Sequence, residues 1–374
     1  MISLKEYRLS EVDNLKVHGR TTGDLSPLTL FWTASGIELN IKASELWVEM
    51  EADYLAHEPW ISIIINGVNV SRQMVTRGKK WVCLFRGMNS DTVKKIRILK
   101  ENQALNEDPL SCLVVHGVKC DGEFLPVKDR PYKIEFIGDS ITSGEGVLGT
   151  KDEDDWIMMW FSAVYNYTYM VAEELNADYR VLSQSGWGVY TSYDNNPYKS
   201  LPDYYEKVCG TLGGEMNKRL GAQENNDFSL WQPDIIVVNL GTNDEGAFNN
   251  PEWKDEQTGK IYKQRKNADG SYNVEDLKKF EEAVKKFLYK LRSYNPDAHI
   301  IWAYGMLGDT MLPAINRGIE NYQLQSNDNK VSVILLPNTR EETVGARYHP
   351  GIQSHKEAAK VVVDYIKNLV PGTK

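Results

Sequence analysis

The stretch Lys133-Ile134-Glu135-Phe136-Ile137-Gly138-Asp139-Ser140-Ile141-Thr142-Ser143-Gly144 decides how the larger, C-terminal part of the chain is read. A short apolar run that halts at glycine and continues in small polar residues predicts a buried strand turning into a helix. Ser140 then sits at the turn, where free backbone N–H groups and the helix dipole favour a developing negative charge. Small neighbours leave room for a substrate carbonyl beside its hydroxyl. The competing reading makes Ser140 no more than a helix N-cap.

Downstream, the runs YRVLSQ, DIIVVNLG, HIIWAYG and VSVILLP repeat the buried-strand pattern. Between them lie helix-like stretches around Trp156–Leu175, Val274–Tyr294, Met311–Gln325 and Ile352–Leu369. In the second, Leu277, Phe280, Ala283, Val284, Phe287, Leu288 and Leu291 fall on one helical face. Alternating strands and helices predict an open α/β fold with a parallel sheet between helical layers, its reactive groups at the carboxyl ends of the strands. Upstream the pattern differs. LTLFWTASGIELNI, ELWVEMEAD, WISIIINGVNV, KWVCLFRG, KKIRILK and SCLVVHGVKC are short runs between turn signals, and Asn66-Gly67 resembles a tight hairpin turn. This predicts an all-β sandwich over residues 1–128, joined through GEFLPVKDRPYK to an α/β domain over residues 129–374.

Composition narrows the function classes. A formal charge of -9, with no basic stripe, argues against nucleic acid as partner. No apolar run is long enough to cross a bilayer, and MISLKEYRLS lacks a signal-peptide core, so no membrane partner and a cytoplasmic setting are expected. Cys83, Cys112, Cys120 and Cys209 form no CxxC pair and are read as free thiols. The oligomeric state stays open.

Three further motifs join Ser140. Gly241-Thr242-Asn243-Asp244 follows DIIVVNL, and the Asn243 amide there can serve as an oxyanion donor; the alternative is a local turn. Ser185-Gly186-Trp187-Gly188 follows YRVLSQ, where a glycine lets its N–H approach a substrate closely. Tyr348-His349-Pro350-Gly351 precedes the last helix, from which His349 can reach back to take the Ser140 proton. His18, His57 and His116 lie in the β-rich part, His299 opens a strand at the wrong end of the sheet, and His355 belongs to the final helix. The six-residue separation of His349 and His355 is not the helical pair of a zinc protease, so no metal is expected.

GDSIT, SGWG, GTND and YHPG, in that order, resemble the blocks of the SGNH (GDSL) hydrolases from about Pro131 onward. Together with HGRTT at 18–22 and FWTASGIELN at 31–40, the whole chain resembles carbohydrate esterase family 2, a jelly-roll domain followed by an SGNH domain of flavodoxin-like α/β/α type. The resemblance implies Ser140 as nucleophile and His349 as base. It implies an oxyanion hole from the Ser140 and Gly186 N–H groups and the Asn243 amide, with Gly188 as alternative to Gly186. It also implies an acetyl esterase that needs no cofactor and acts on acetylated manno- or xylo-oligosaccharides. One departure stands out: most SGNH enzymes carry Asp three residues before the histidine, and here that residue is Ala346. A backbone carbonyl is expected to orient the ring instead, with Glu341 and Glu342 as alternatives. Trp187, Trp253 and Asp139 are the substrate-contact candidates. A lysophospholipase or thioesterase, and a non-catalytic carbohydrate binder on an esterase scaffold, are the competing functions.

Overall fold

The computed structural model describes residues 4–369. In the N-terminal part, two antiparallel sheets of five and six strands face each other. Strand Leu46–Asp53 shows why: Leu46, Val48, Met50 and Ala52 point inward while Trp47, Glu49, Glu51 and Asp53 are half-exposed, the period-two pattern of a one-sided sheet. Strands Trp60–Ile65 and Val68–Met74 pair antiparallel across Asn66 and Gly67, which have φ of 53° and 84°. Two positive φ values in a two-residue loop match the hairpin twist, and Asn-Gly accepts them at little strain.

The C-terminal part is built on a five-stranded parallel sheet in the order Ala177–Ser183, Tyr132–Gly138, Ile235–Asn239, His299–Gly305, Val331–Leu336. Both faces are covered. Ile236 and Val238 pack with Phe280, Val284 and Phe287 of helix Val274–Tyr294 and Ile315 of helix Leu312–Ser326. Ile235 and Val237 face the other way, towards Val171 of helix Tyr167–Glu174 and Val362 of helix Ile352–Leu369. Chain order along the sheet reverses at Tyr132–Gly138, and such a switch point opens a crevice at the strand carboxyl ends. Ser140 lies there.

One helix expectation fails. Of Trp156–Leu175, only Tyr167–Glu174 is an α-helix, preceded by a single 3-10 turn at Met158–Trp160. Tertiary bonds claim the backbone in between. The Ser162 N–H donates to Gly144 O at 2.9 Å and the Ala163 N–H to Glu101 Oε2 at 2.8 Å. The Asn166 side chain caps the helix only after that, accepting from the Thr168 N–H.

The sandwich is seated firmly on the α/β sheet. Buried Arg20 donates to Glu135 Oε1 at 3.1 Å and lies over the rings of Tyr205 and Phe228. Trp32 is buried with the α/β core and donates from Nε1 to Val208 O at 2.7 Å. The HGRTT and FWTASG segments thus serve as interdomain struts.

Candidate active site

Ser140 opens the four-residue helix Ser140–Ser143, capped by Asp139, whose Oδ1 accepts the Ile141 N–H at 3.0 Å. His349 Nε2 lies 3.0 Å from Ser140 Oγ, although 209 positions separate the residues. Its Nδ1 lies 2.9 Å from the Arg347 carbonyl oxygen. A carbonyl can only accept, so the hydrogen sits on Nδ1 and Nε2 is left as the acceptor for the serine hydroxyl. A main-chain oxygen therefore fixes the tautomer.

Aiming that oxygen requires unusual backbone. Arg347 and Tyr348 have φ of 56° and 55°, left-handed values that cost non-glycine residues on the order of 1–3 kcal/mol each. Several bonds hold them there. The Arg347 N–H donates to Glu153 O at 2.8 Å, its Nη1 to Asp154 O at 2.8 Å and its Nε to Glu145 Oε1 at 3.1 Å. Ala346 is fully buried, and a Cβ placed on Gly149 would lie 2.4 Å from its methyl. The position at which the resemblance leads one to expect an aspartate is packed shut. Glu341 and Glu342 do not orient the ring: they are exposed and pair with Lys151 and Arg340.

The glycine loop approaches from the neighbouring strand. Gly186 has φ of 80°, a left-handed backbone that favours glycine, and a Cβ there would press on the Tyr193 ring at 3.2 Å. Among the described residues neither the Gly186 nor the Ser140 N–H has an acceptor. Gly188 fits the role less well, since its N–H faces Lys199 O at 3.4 Å and its α-carbon packs on the Asp244 carboxylate. The Asn243 Nδ2 donates to Trp187 O at 2.9 Å and to Asp139 Oδ2 at 3.2 Å, joining strand end, glycine loop and serine turn.

Two supporting residues escaped the sequence reading. Buried Asp244 does not make a local turn; its carboxylate accepts the N–H groups of Val189, Tyr190 and Thr191 at 2.8, 2.8 and 3.1 Å. Burial pushes its carboxyl up to about 6. Gln103, on the sandwich loop after strand Val93–Lys100, accepts at Oε1 from Ser143 Oγ, Ser185 N and Ser185 Oγ, each at 2.8 Å. Lys100, pushed down to about 7 by burial, steadies that loop by donating to the carbonyls of Phe31, Asn102 and Gln103. Sequence alone gave no sign of Gln103, because its partners lie 40 and 82 positions away in another domain.

The substrate-contact candidates fare unevenly. Asp139 is fully buried with both oxygens engaged, so it serves the frame of the site and offers a substrate nothing. Burial, with the Asp244 and Glu145 charges nearby, raises its carboxyl to about 7. Trp187 is only 4% exposed and packs edge-on to Tyr204, leaving no face for a sugar. Apolar packing of a large ring overrode the platform expected there. Trp253 is half-buried in a small ribbon with Tyr262, beside the exposed Tyr198. Tyr193, half-exposed beside Gly186, is an aromatic the sequence reading passed over. Among the described residues no group of three or more His, Cys, Asp or Glu side chains could hold a metal ion, and no helix is long and apolar enough to cross a membrane.

Comparison with known proteins bears on this arrangement. The family described as GDSL-like Lipase/Acylhydrolase matches residues 136–333, more than half of the chain. An acetyl xylan esterase from the rumen bacterium Butyrivibrio proteoclasticus has a solved structure 47% identical in sequence; the match covers 98% of each chain with a TM-score of 0.96. A family two carbohydrate esterase from Clostridium thermocellum, solved in complex with cellohexaose, is 25% identical over 95% of this chain and 98% of its own, with a TM-score of 0.78. Cellulase/esterase CelE of Acetivibrio thermocellus is 26% identical over 90% of this chain, which spans only 37% of CelE.

Proposed function

We propose, since the chain belongs to the GDSL-like lipase/acylhydrolase family, that it is a serine esterase that removes O-acetyl groups from carbohydrate, with acetylated xylo- or manno-oligosaccharides as substrates. The observation that carries this reading is the 3.0 Å contact between His349 Nε2 and Ser140 Oγ, with Nδ1 bonded to a carbonyl. Similarity over nearly full length to an acetyl xylan esterase supports the substrate class.

In the proposed reaction Ser140 Oγ attacks the acetyl carbonyl while His349 Nε2 takes its proton. The tetrahedral oxyanion is met by the Ser140 and Gly186 N–H groups. Asn243 joins them by giving up its longer contact, to Asp139, for the substrate oxygen. A single preorganised donor of this kind contributes about 3–4 kcal/mol to the barrier. His349 then gives its proton to the sugar oxygen as the C–O bond breaks, so the sugar leaves with a free hydroxyl, and water, activated by the same ring, releases acetate from Ser140. The half-exposed Tyr193 and the Tyr198–Trp253–Tyr262 group are aromatic surfaces suited to sugar rings.

The test is acetate release from defined acetylated xylo- and manno-oligosaccharides, alongside p-nitrophenyl acetate and decanoate. Expected is turnover of the acetylated sugars and a loss of about 10⁴-fold or more in Ser140→Ala. Equal turnover by parent and variant would remove the esterase reading, and preference for decanoate would move the substrate to lipid.

A further inference from the structure

The carbonyl that orients His349 is neutral, so it cannot balance the imidazolium formed when the ring takes the serine proton. A carboxylate nevertheless stands close by. Glu145 Oε1 is 3.8 Å from His349 Nε2, the nitrogen the carbonyl does not occupy, and the Glu145 side chain is 3% exposed. The same oxygen accepts from Arg347 Nε at 3.1 Å, and Arg347 is the residue whose carbonyl holds Nδ1. Glu145 follows directly on the turn after the serine helix, its N–H donating to Ser140 O at 3.0 Å. Gly146 permits the contact, because a Cβ there would lie 2.3 Å from Ala346 O and 2.7 Å from His349 Cβ.

We propose that Glu145 is the positioning residue that replaces the missing acid, supplying negative charge to the His349 ring and fixing the Arg347 backbone that fixes its tautomer. This rests on the esterase reading. The two tasks fall to one carboxylate because its oxygen touches the guanidinium while lying within Coulombic reach of the ring. Besides Glu145, the charged and titratable groups placed near the ring are Arg347 on its own loop and buried His355 on the last helix. Arg347 is the more exposed member of its pair, at 37% against 3%, so solvent screens its charge more than that of Glu145.

The experiment is an NMR titration of the His349 ring in the full chain, read with kcat and KM for p-nitrophenyl acetate. Glu145→Gln keeps an oxygen for Arg347 but removes the charge. It is expected to change the ring titration relative to the parent and to lower kcat about tenfold, with KM within about twofold of the parent. Glu145→Asp, which keeps the charge, is expected to titrate and turn over more like the parent than Glu145→Gln does. A ring titration in Glu145→Gln identical to the parent overturns the proposal. Should that variant not fold, the coupling is read in the parent, because it is reciprocal. The Glu145 carboxyl carbon must then show an inflection at the ring midpoint that vanishes in His349→Ala, and a flat trace overturns the proposal. The ring titration needs no turnover, so a parent that hydrolyses no ester defeats the esterase reading without deciding this one.

Discussion

Two loops converge on Ser140, and they are held in opposite ways. The glycine loop, 185–191, is clamped by side chains from outside it. Asp244 takes three of its N–H groups, Gln103 takes Ser185, and Asn243 takes the Trp187 carbonyl. The histidine loop, 345–350, is held by main-chain bonds to Gly146 and Glu153 and by the Arg347 side chain on Glu145 and Asp154, with two left-handed residues and a carbonyl on the ring's Nδ1. The donor this loop offers is a backbone N–H that must stand at a set point, so borrowed acceptors pin the loop. A base has to be a ring at a set angle, and one carbonyl suffices for that. The loops thus differ in what a single substitution can destroy.

The comparison breaks most visibly at Asp244. Asp244→Ala leaves three buried N–H groups without acceptors, at about 1–3 kcal/mol each. A loss of several kcal/mol in urea unfolding is expected, with esterase activity falling more than a hundredfold. Unfolding at the parent midpoint would mean that the clamp is dispensable. Next in size is Ala346→Asp, which tries to convert the second loop to the acid-based design. Ala346 is fully buried with its methyl against Gly149, so overpacking and an unpaired buried carboxyl should destabilise the protein by about 2–4 kcal/mol without raising kcat. A gain in kcat would show that the carbonyl is the poorer orienter.

Gln103→Leu sharpens the comparison from the other domain. It strips the acceptor shared by Ser143 and Ser185 while keeping much of the volume. We expect stability to fall by about 1–2 kcal/mol and kcat by about tenfold. Unchanged kinetics would reduce the sandwich to a passive support. The smallest effect is in pH dependence. The Asp139 carboxyl is raised to about 7 in the fold, so the folded state binds its proton more tightly than the unfolded chain between about pH 4 and 7. Stability from this group is present below that window and is lost as pH rises through it. Asp139→Asn, which cannot titrate, should gain on the parent between pH 4.5 and 7.5 in urea midpoints; a constant difference would contradict the assignment.

What could be read from sequence followed how locally each feature is encoded. Strand, glycine and small polar residue sit side by side in the Ser140 and Asn243 motifs, and the parallel sheet brings those ends together. The amphipathic stripe of Val274–Tyr294 marked its helix to the residue. Residues 156–165 misled because their backbone is claimed by Gly144 and Glu101, remote partners that periodicity does not register. Trp187 misled because ring type says nothing of which way the ring faces. A carbonyl on the ring was expected, but that Arg347 supplies it was hidden, as were Gln103 and the Asp244 clamp: each acts through contacts or backbone angles that exist only once the two domains and the last loop are in place.

The central claim is that His349 makes Ser140 nucleophilic without a carboxylate bonded to the ring's Nδ1. Its most direct measurement is mass mapping after reaction with a p-nitrophenyl phosphonate ester, which labels activated serines. The account predicts stoichiometric modification at Ser140, abolished in His349→Ala and undiminished in a double variant Glu341→Gln/Glu342→Gln. An unmodified Ser140, or equal labelling with His349 removed, would contradict it.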